Sequence, residues 1–250
     1  MNILVTRPDE RGQELVDLLQ QQQIFAIHQP LFTIESGREL PLLPSLFSQL
    51  NEGDYVFAVS KNAVDFAHQT MTQTGFKFRS DLHYFSVGQR TATYFAGKSE
   101  QAVKYPICFE NSEGLLELPE MQNIQGKNIV ILRAETGREF FAKEAVKRGA
   151  SVQNVECYRR VPSAENLSEK LSLAKRVGID TIIVTSSEIL ASLIENTVDE
   201  DKDWLLSCKL IVIGHRIATI AKQSGWGSDK IVVSPKADNQ TILAVLTELQ

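Results

Sequence analysis

Two short turns, half a chain apart, carry the same polar residues in the same order. The stretches FSVGQRTATYFA and IVIGHRIATIA align so that Gly88 corresponds to Gly214 and Arg90 to Arg216. In each stretch an apolar run of the kind that forms strands leads into a helical pattern. Glycine lets a backbone approach a ligand closely, and arginine binds carboxylates and phosphates in a bidentate geometry. Both turns are therefore candidates for binding an oxyanion.

Hydroxyl, amide and guanidinium groups follow several other apolar runs. Open parallel sheets bind ligands beyond the carboxyl ends of their strands, where backbone N–H groups of helix N-termini also favour anions. We therefore predict a substrate-binding surface for carboxylates or phosphates that consists of Thr6, Arg7, Ser60, Asn62, Gly88, Arg90, Thr91, Arg138, Thr185, Ser186, Ser187, Gly214, His215 and Arg216. The alternative for Ser60, Asn62 and Ser186 is helix capping, and for the two turn arginines it is a solvated helix surface.

The elements that would position these groups are short strands alternating with amphipathic helices. The runs ILV, YVFAV, HYFSV, NIVIL, TIIV, KLIVI and KIVV show little polar alternation, as expected of parallel strands buried on both faces. A helix is predicted over residues 12–22, and Pro8 and Asp9 suit its first turn. This pattern predicts an α/β fold with about ten strands, which is more than one sheet usually holds, so we expect two doubly wound sheets.

Most of these elements occur twice, separated by 126 residues, as for Ser60 with Ser186 and Asn2 with Asn128. The chain therefore has the order A–B–A′–B′, where A is a strand–helix–strand unit and B carries strand–helix repeats. One partition joins A with B and A′ with B′, and the other surrounds a central B–A′ unit with A and B′. The residues alone leave this choice open, and the candidate connectors are residues 30–53 and 161–178.

Tyr158 lies in the segment VECYRRV, which ends the A′ unit just before a candidate connector. A phenol can donate a proton without carrying charge at neutral pH. We therefore predict that Tyr158 is a catalytic acid at the edge of a cleft, and the alternative is that it packs the connector. Arg159 and Arg160 beside it are either anion contacts or surface charge.

Several other chemistries find no support in the sequence. There is no paired-histidine or Cys-x-x-Cys motif, no acidic metal cluster, no Walker loop, no G-x-G-x-x-G after a strand and no G-x-S-x-G. We expect no metal ligands and no cofactor. His28, His68 and His83 show no ligand spacing.

Composition sets further limits. The net charge of −5 and the lack of a long basic run argue against nucleic-acid binding, and no apolar window is long enough to span a membrane. Three widely spaced cysteines argue against a disulfide framework. With no signal segment before the first strand, we expect a cytoplasmic protein, and a monomer is the default.

The motifs resemble, in their order and spacing, those of the uroporphyrinogen-III synthase family. The resemblance covers nearly the whole chain and rests on ILVTRP, VSKNAV, SVGQRTA, RGASVQNVECYRRV, TSSEIL and IGHRIA. Threonine is common in both glycine turns of that family. Thr91 fits in the first turn, whereas Arg216 and Ile217 stand in the second.

The resemblance implies two flavodoxin-like doubly wound parallel-sheet domains joined by a two-stranded linker. It favours an outer domain of residues 1–33 plus 162–250, a central domain of residues 54–158, and linkers at residues 34–53 and 159–161.

It also implies an activity, that of a lyase of haem and sirohaem biosynthesis that cyclises the linear tetrapyrrole hydroxymethylbilane to uroporphyrinogen III, with inversion of ring D and loss of water. The family uses no metal or organic cofactor, and its favoured proton donor matches Tyr158. A transient contact with the upstream bilane-forming enzyme is also expected.

Two other functions come into consideration. A two-lobed binding or sensor module for a small anion needs the oxyanion turns but no acid. A tetrapyrrole-related methyltransferase needs a glycine-rich cofactor loop, which this sequence lacks.

Overall fold

The structure is a computed structural model that describes residues 1–8, 10–163 and 166–249. Asp9, which the sequence places in the first turn of a helix, lies outside the described residues. The chain divides into two compact units, one of Met1–Ile34 with Val161–Gln250 and the other of Glu35–Arg160. We call them unit 1 and unit 2.

The described residues form eleven strands and eleven α-helices. In chain order they are β1 (Asn2–Val5), α1 (Glu10–Gln21), β2 (Phe25–His28), β3 (Phe32–Ser36), α2 (Leu43–Gln49), β4 (Tyr55–Ala58), α3 (Lys61–Gln73), β5 (His83–Ser86), α4 (Gln89–Ser99), β6 (Val103–Lys104), α5 (Ser112–Leu116), β7 (Asn128–Ala134), α6 (Phe140–Lys147), β8 (Ser151–Pro162), α7 (Leu167–Arg176), β9 (Thr181–Val184), α8 (Ser187–Glu195), α9 (Lys202–Ser207), β10 (Lys209–Ile213), α10 (Gly214–Gln223), β11 (Ile231–Ser234) and α11 (Asn239–Thr247).

Unit 1 contains a parallel five-stranded sheet in the order β2–β1–β9–β10–β11. Alternate residues of the strands pack on opposite faces. Ile3 and Val5 of β1 pack with α1 and α11, whereas Leu4 packs with the helices α7 to α10. Numbered within the unit, the strands have the order 2–1–3–4–5 of flavodoxin-like sheets.

Unit 2 contains a six-stranded sheet in the order β3–β8–β7–β4–β5–β6, in which the five strands from β8 to β6 are parallel. If β7 and β8 are numbered 1 and 2, and β4, β5 and β6 are numbered 3, 4 and 5, these five strands have the same 2–1–3–4–5 order. Tyr55 and Phe57 of β4 pack with α5 and α6. The prediction of an α/β protein with two doubly wound parallel sheets is therefore confirmed.

Two strands run through the boundary between the units, since β3 is divided after Ile34 and β8 after Arg160. In unit 2 they lie against each other, and the Gly37 amide donates a hydrogen bond of 2.9 Å to the Cys157 carbonyl. A Cβ on Gly37 would lie 2.0 Å from the Glu156 carbonyl oxygen, so this contact requires glycine. The segments proposed as connectors also hold regular elements, namely β3, α2 and α7.

A pair of matched polar contacts joins the repeated segments within each unit. In unit 2, Asp54 at the start of β4 accepts hydrogen bonds from the Asn128 amide at 3.0 Å and from Asn128 Nδ2 at 2.8 Å. In unit 1, Asp180 accepts from the Asn2 amide at 3.1 Å. Both aspartates precede a B-type strand and both asparagines begin an A-type strand. Each unit thus combines one A segment with the B segment of the other repeat.

Candidate functional site

The carboxyl ends of β4 and β7 form the switch point of the unit 2 sheet, because the helices that follow these neighbouring strands pack on opposite faces. Ligands of such sheets bind at this position. Ser60 follows β4 and is the N-cap of α3, where its Oγ accepts the Ala63 amide at 3.2 Å. Glu135 follows β7, and its amide donates to the Tyr158 carbonyl at 3.0 Å. The switch point therefore brings Ser60, Glu135 and Tyr158 together.

A β-bulge turns Tyr158 toward this position. Along β8, Glu156 pairs with Arg133 but Tyr158 pairs with Ala134, so Cys157 is the extra residue. Bulges of this kind re-aim side chains and are frequent beside active sites. As a result two consecutive side chains, those of Cys157 and Tyr158, are buried, with exposed fractions of 0% and 5%.

The Tyr158 side chain has a defined partner on each side. Ser60 Oγ donates a hydrogen bond of 3.1 Å to Tyr158 Oη, and the ring of Phe66 stacks on the phenol with centroids 6.5 Å apart. The Arg160 guanidinium lies 5.6 Å from the centroid of the Tyr158 ring, and its Nη1 donates to Glu135 Oε1 at 3.2 Å. Because Ser60 donates to the phenol oxygen, the phenol proton stays free to be donated to another molecule.

A cation is held beside the Tyr158 ring. Arg160 supplies the cation, and Glu135 holds it by accepting one of its N–H groups. The second oxygen of Glu135, Oε2, is buried and has no hydrogen-bond partner within the part of the chain that the structure describes. The group therefore combines a buried phenol, a hydroxyl that orients it and a fixed positive charge.

Cys157, directly before Tyr158, is not suited to proton transfer. Burial raises the pKa of its thiol to about 12, although a hydrogen bond with the backbone of Arg133 partly offsets the shift. A thiol of this kind stays protonated and unreactive at neutral pH.

The remaining predicted residues of unit 2 differ in how available they are. Arg90 and Asn62 are exposed in the first turns of their helices, and Thr91 is half-buried. Arg138 forms two hydrogen bonds with Glu113, of 2.6 and 3.1 Å, and these raise its pKa. Gly88 is buried as the N-cap of α4.

The Gly88 turn is covered by a side chain from a neighbouring loop. A Cβ on Gly88 would lie 2.4 Å from Glu110 Oε2, so the carboxylate of Glu110 lies directly against this glycine. A carboxylate is the ligand type that the turn is predicted to bind. The sequence carries no signal for this contact, because Glu110 lies in an irregular segment between β6 and α5.

Unit 1 holds its predicted residues around the switch point between β1 and β9. Thr6 Oγ1 donates to the Ile183 carbonyl at 2.6 Å. Arg7 is 2% exposed, and its Nη1 donates to the Ala237 carbonyl and to Asn239 Oδ1, each at 2.8 Å. Both side chains therefore have partners inside the fold, and their contact with a substrate stays a prediction.

The turns after β9 and β10 in unit 1 are more accessible. Ser186 caps α8 by accepting the Ile189 amide at 3.2 Å, and Ser187 beside it donates to Glu188. Thr185 is half-buried, and His215 and Arg216 lie at the start of α10, where both are exposed. Gly214 has a φ of +75°, which favours glycine, whereas Gly88 has an extended φ of −156°. The two glycine turns therefore share a sequence but not a backbone conformation.

Comparison with known proteins supports a single family. A family model described as uroporphyrinogen-III synthase HemD matches residues 13–244. The uroporphyrinogen-III synthase of Salmonella typhimurium is 38% identical over 247 residues, and that of Escherichia coli is 39% identical over 249 residues. Each alignment covers 98% of this chain and 100% of the relative. This chain belongs to the uroporphyrinogen-III synthase family.

A solved structure of the family has the same fold. A mutant uroporphyrinogen III synthase from the extremely thermophilic bacterium Thermus thermophilus superposes with a TM-score of 0.77 at 15% identity, covering 100% of this chain and 99% of the other. The expectation of family membership, which rested on six short motifs, is therefore confirmed.

Among the described residues, no group of three or more His, Cys, Asp or Glu side chains could hold a metal ion. No helix in that part of the chain is both long and apolar enough to cross a membrane.

Sequence reasoning missed Glu135 and Phe66 as members of the Tyr158 group. A search for acids next to the repeat-matched strand ends would have found Glu135, which directly follows β7. Phe66 could not be found in this way, because its stacking on Tyr158 depends on the bulge in β8.

Proposed function

We propose that this protein is a uroporphyrinogen-III synthase, a lyase that cyclises hydroxymethylbilane to uroporphyrinogen III with inversion of ring D and loss of water. The observation that carries the proposal is the match to the family over nearly the whole chain. The arrangement of Ser60, Tyr158 and Arg160 supports it, because it provides the acid that the reaction requires.

The reaction begins at the hydroxymethyl group of the bilane. The electron-rich pyrrole expels the hydroxyl oxygen, which takes the phenol proton of Tyr158 and leaves as water. The carbon that bore the oxygen becomes an azafulvenium cation. Ring D attacks this cation through the ring carbon that already carries its link to the neighbouring ring; that link then breaks and re-forms at the other α carbon of ring D, which inverts the ring, and the proton lost from that carbon returns to Tyr158. During this cycle Arg160 stabilises the phenolate, and Ser60 continues to donate its own proton to the phenol oxygen.

Positioning is the second task, because a linear bilane can also close without inversion. The substrate carries acetate and propionate arms on every ring, and the predicted binding residues supply hydroxyl, backbone N–H and guanidinium donors for them. Donors that hold the arms fix which ring atom meets the cation, and orientation of this kind can supply a large part of a rate enhancement. The enzyme thus favours one transition state over another.

The remaining attributes belong to the same proposal. The chemistry needs only proton transfer and orientation, so we infer that no metal or organic cofactor takes part. A monomer in the cytoplasm, with transient contact to the upstream bilane-forming enzyme, fits an unstable substrate. We also retain the domains of residues 1–33 plus 162–250 and 54–158, with linkers at 34–53 and 159–161. A small-anion sensor is not favoured, because the relatives that match over the whole chain are synthases.

Genetic complementation tests the proposal. An Escherichia coli strain that lacks its uroporphyrinogen-III synthase should regain haem-dependent growth when it expresses this chain. The Tyr158→Phe variant, expressed to the same level, should restore growth more slowly. Failure of the wild-type chain to restore growth, although it accumulates as folded protein, would contradict the proposal.

A further inference from the structure

A shallow cavity of about 440 Å³, open to solvent, lies in unit 2 between the first turn of α3 and one face of α4. Its lining residues are Lys61, Arg90, Thr93, Tyr94, Gly97 and Lys98. The five residues from α4 have the spacing of a single helical stripe, and Lys61 faces them from α3. Lys61 and Arg90 lie in the first turns of the helices that follow β4 and β5, so one end of the cavity lies at the same sheet edge as Ser60.

The cavity concentrates positive charge in a protein that is acidic overall. Lys61, Arg90 and Lys98 line it together, and within the described residues none of the three forms an ion pair with a carboxylate. Several other cations of the unit are paired, for example Arg133 with Glu139. Three such cations around one cavity attract an anion.

Tyr94 forms an aromatic wall between the cations. The ammonium groups of Lys61 and Lys98 lie 5.1 and 5.6 Å from its ring centroid. Its hydroxyl donates to Asp65, and this bond, together with burial, raises its pKa to about 12. Tyr94 is therefore neutral and held in place. The Asp65 carboxylate is already occupied by the hydrogen bond from the Tyr94 hydroxyl.

Gly97 keeps the cavity open. It lies in the interior of α4, its φ is not in the left-handed region, and no atom lies within 4 Å of a Cβ placed on it. The backbone therefore does not require glycine, and glycine lowers helix stability relative to alanine. The structural effect of glycine at this position is that no side chain fills the cavity.

We propose that this cavity binds a carboxylate arm of the substrate, with Lys61, Arg90 and Lys98 as its cationic contacts and Tyr94 as its wall. This inference rests on the proposed function for the identity of the substrate. It extends the predicted binding surface from Arg90 to Lys61, Lys98 and Tyr94. The cavity holds one arm beside the switch point, and thereby helps to fix the bilane relative to Tyr158.

Steady-state kinetics with hydroxymethylbilane test the site. Changing Lys61, Arg90 or Lys98 singly to Gln should raise KM about two- to fivefold, and the triple variant about tenfold or more, since exposed ion pairs are individually weak. Gly97→Leu should raise KM by filling the cavity, with the charges intact. In all of these variants the rise in KM should exceed any fall in kcat, because an arm held almost equally in ground and transition states affects mainly binding.

Lys127→Gln is the matched control. Lys127 lies 5.9 Å from the Tyr55 ring centroid, in a similar cation–π contact of the same unit, but precedes β7 at the opposite edge of the sheet. Its removal changes the net charge equally and should leave KM unchanged. Urea unfolding of each variant verifies that the fold is intact. An unchanged KM in both the triple variant and Gly97→Leu would overturn the proposal, as would an equal rise in Lys127→Gln.

A binding experiment separates failure of this site from failure of the proposed function. Uroporphyrin, a stable octacarboxylate, should bind the wild-type chain in calorimetry, and the triple variant should bind it at least tenfold more weakly. If the chain forms no inverted isomer but the triple variant binds uroporphyrin more weakly than the wild type, the carboxylate site is supported and the proposed activity is contradicted. If phosphate displaces uroporphyrin at concentrations at which acetate has no effect, the assignment to a carboxylate is wrong.

Discussion

The most informative substitution is Tyr158→Phe, because it removes one oxygen atom from the proposed acid and leaves the ring in place. Phe66 still stacks on the ring and Arg160 still lies beside it. The lost group is the acceptor of the Ser60 hydrogen bond, and Ser60 keeps its capping bond to Ala63. The free energy of unfolding should therefore fall by only about 1 kcal/mol.

The expected effect on rate is larger. For unit charges placed at the Arg160 guanidinium and at the centroid of the Tyr158 ring, which are 5.6 Å apart, the attraction is about 3 kcal/mol at an effective dielectric constant of about 20, and pairing of Arg160 with Glu135 reduces it. A barrier increase of about 1.4 to 4 kcal/mol corresponds to a turnover about ten- to a thousandfold slower. Ser60→Ala keeps the acid but removes its orienting partner, so its turnover should lie between those of Tyr158→Phe and the wild type.

The assay is turnover of hydroxymethylbilane under saturating conditions, with urea unfolding of the same preparations. The reasoning predicts a large loss of turnover with a small loss of stability. Wild-type turnover in folded Tyr158→Phe would refute it and make Tyr158 a packing residue. A loss of turnover that merely follows the fraction of unfolded protein would refute it as well.

Two further predictions concern the fold and the thiols. Asp54 is 2% exposed and accepts hydrogen bonds from three donors, so Asp54→Ala should lower the free energy of unfolding by about 3 kcal/mol or more. Its repeat-matched counterpart Asp180 has a side chain that is 56% exposed, so Asp180→Ala should lower it by about 1 kcal/mol or less. Urea unfolding measures both values, and equal losses would contradict the burial argument. Burial raises the pKa of the Cys157 and Cys208 thiols to about 12. At pH 8, iodoacetamide should therefore label only the exposed Cys108 in the folded chain. Mass spectrometry identifies the labelled cysteines, and label on Cys157 or Cys208 would contradict the prediction.

Much of the fold could be predicted from the sequence because it depends on local patterns. The apolar runs locate the strands, and the 126-residue repeat predicts two equivalent sheets. The choice of partition depends on contacts such as Asp54 with Asn128, which join segments far apart in the chain. No local pattern contains that information, and only the resemblance to a family indicated it.

The site was predictable in its residue types but less so in its geometry. The strand-end rule placed Ser60 in the candidate set, the position of Tyr158 just before a candidate connector placed it there, and the structure joins the two by a hydrogen bond. The bulge at Cys157, which directs the Tyr158 side chain, has no signal in the sequence. The apolar pattern of β8 is compatible with a strand that has the extra residue and with one that lacks it. The burial of Arg7 depends on Asn239, which lies at the far end of the chain.

The most direct test of the central claim is the isomer ratio of the cyclised product as the enzyme concentration is raised over a fixed amount of hydroxymethylbilane. Spontaneous closure competes with the enzyme, so the account predicts that uroporphyrinogen III rises from a trace to nearly all of the product. A product that stays the uninverted isomer, and forms at the spontaneous rate at every enzyme concentration, would contradict it.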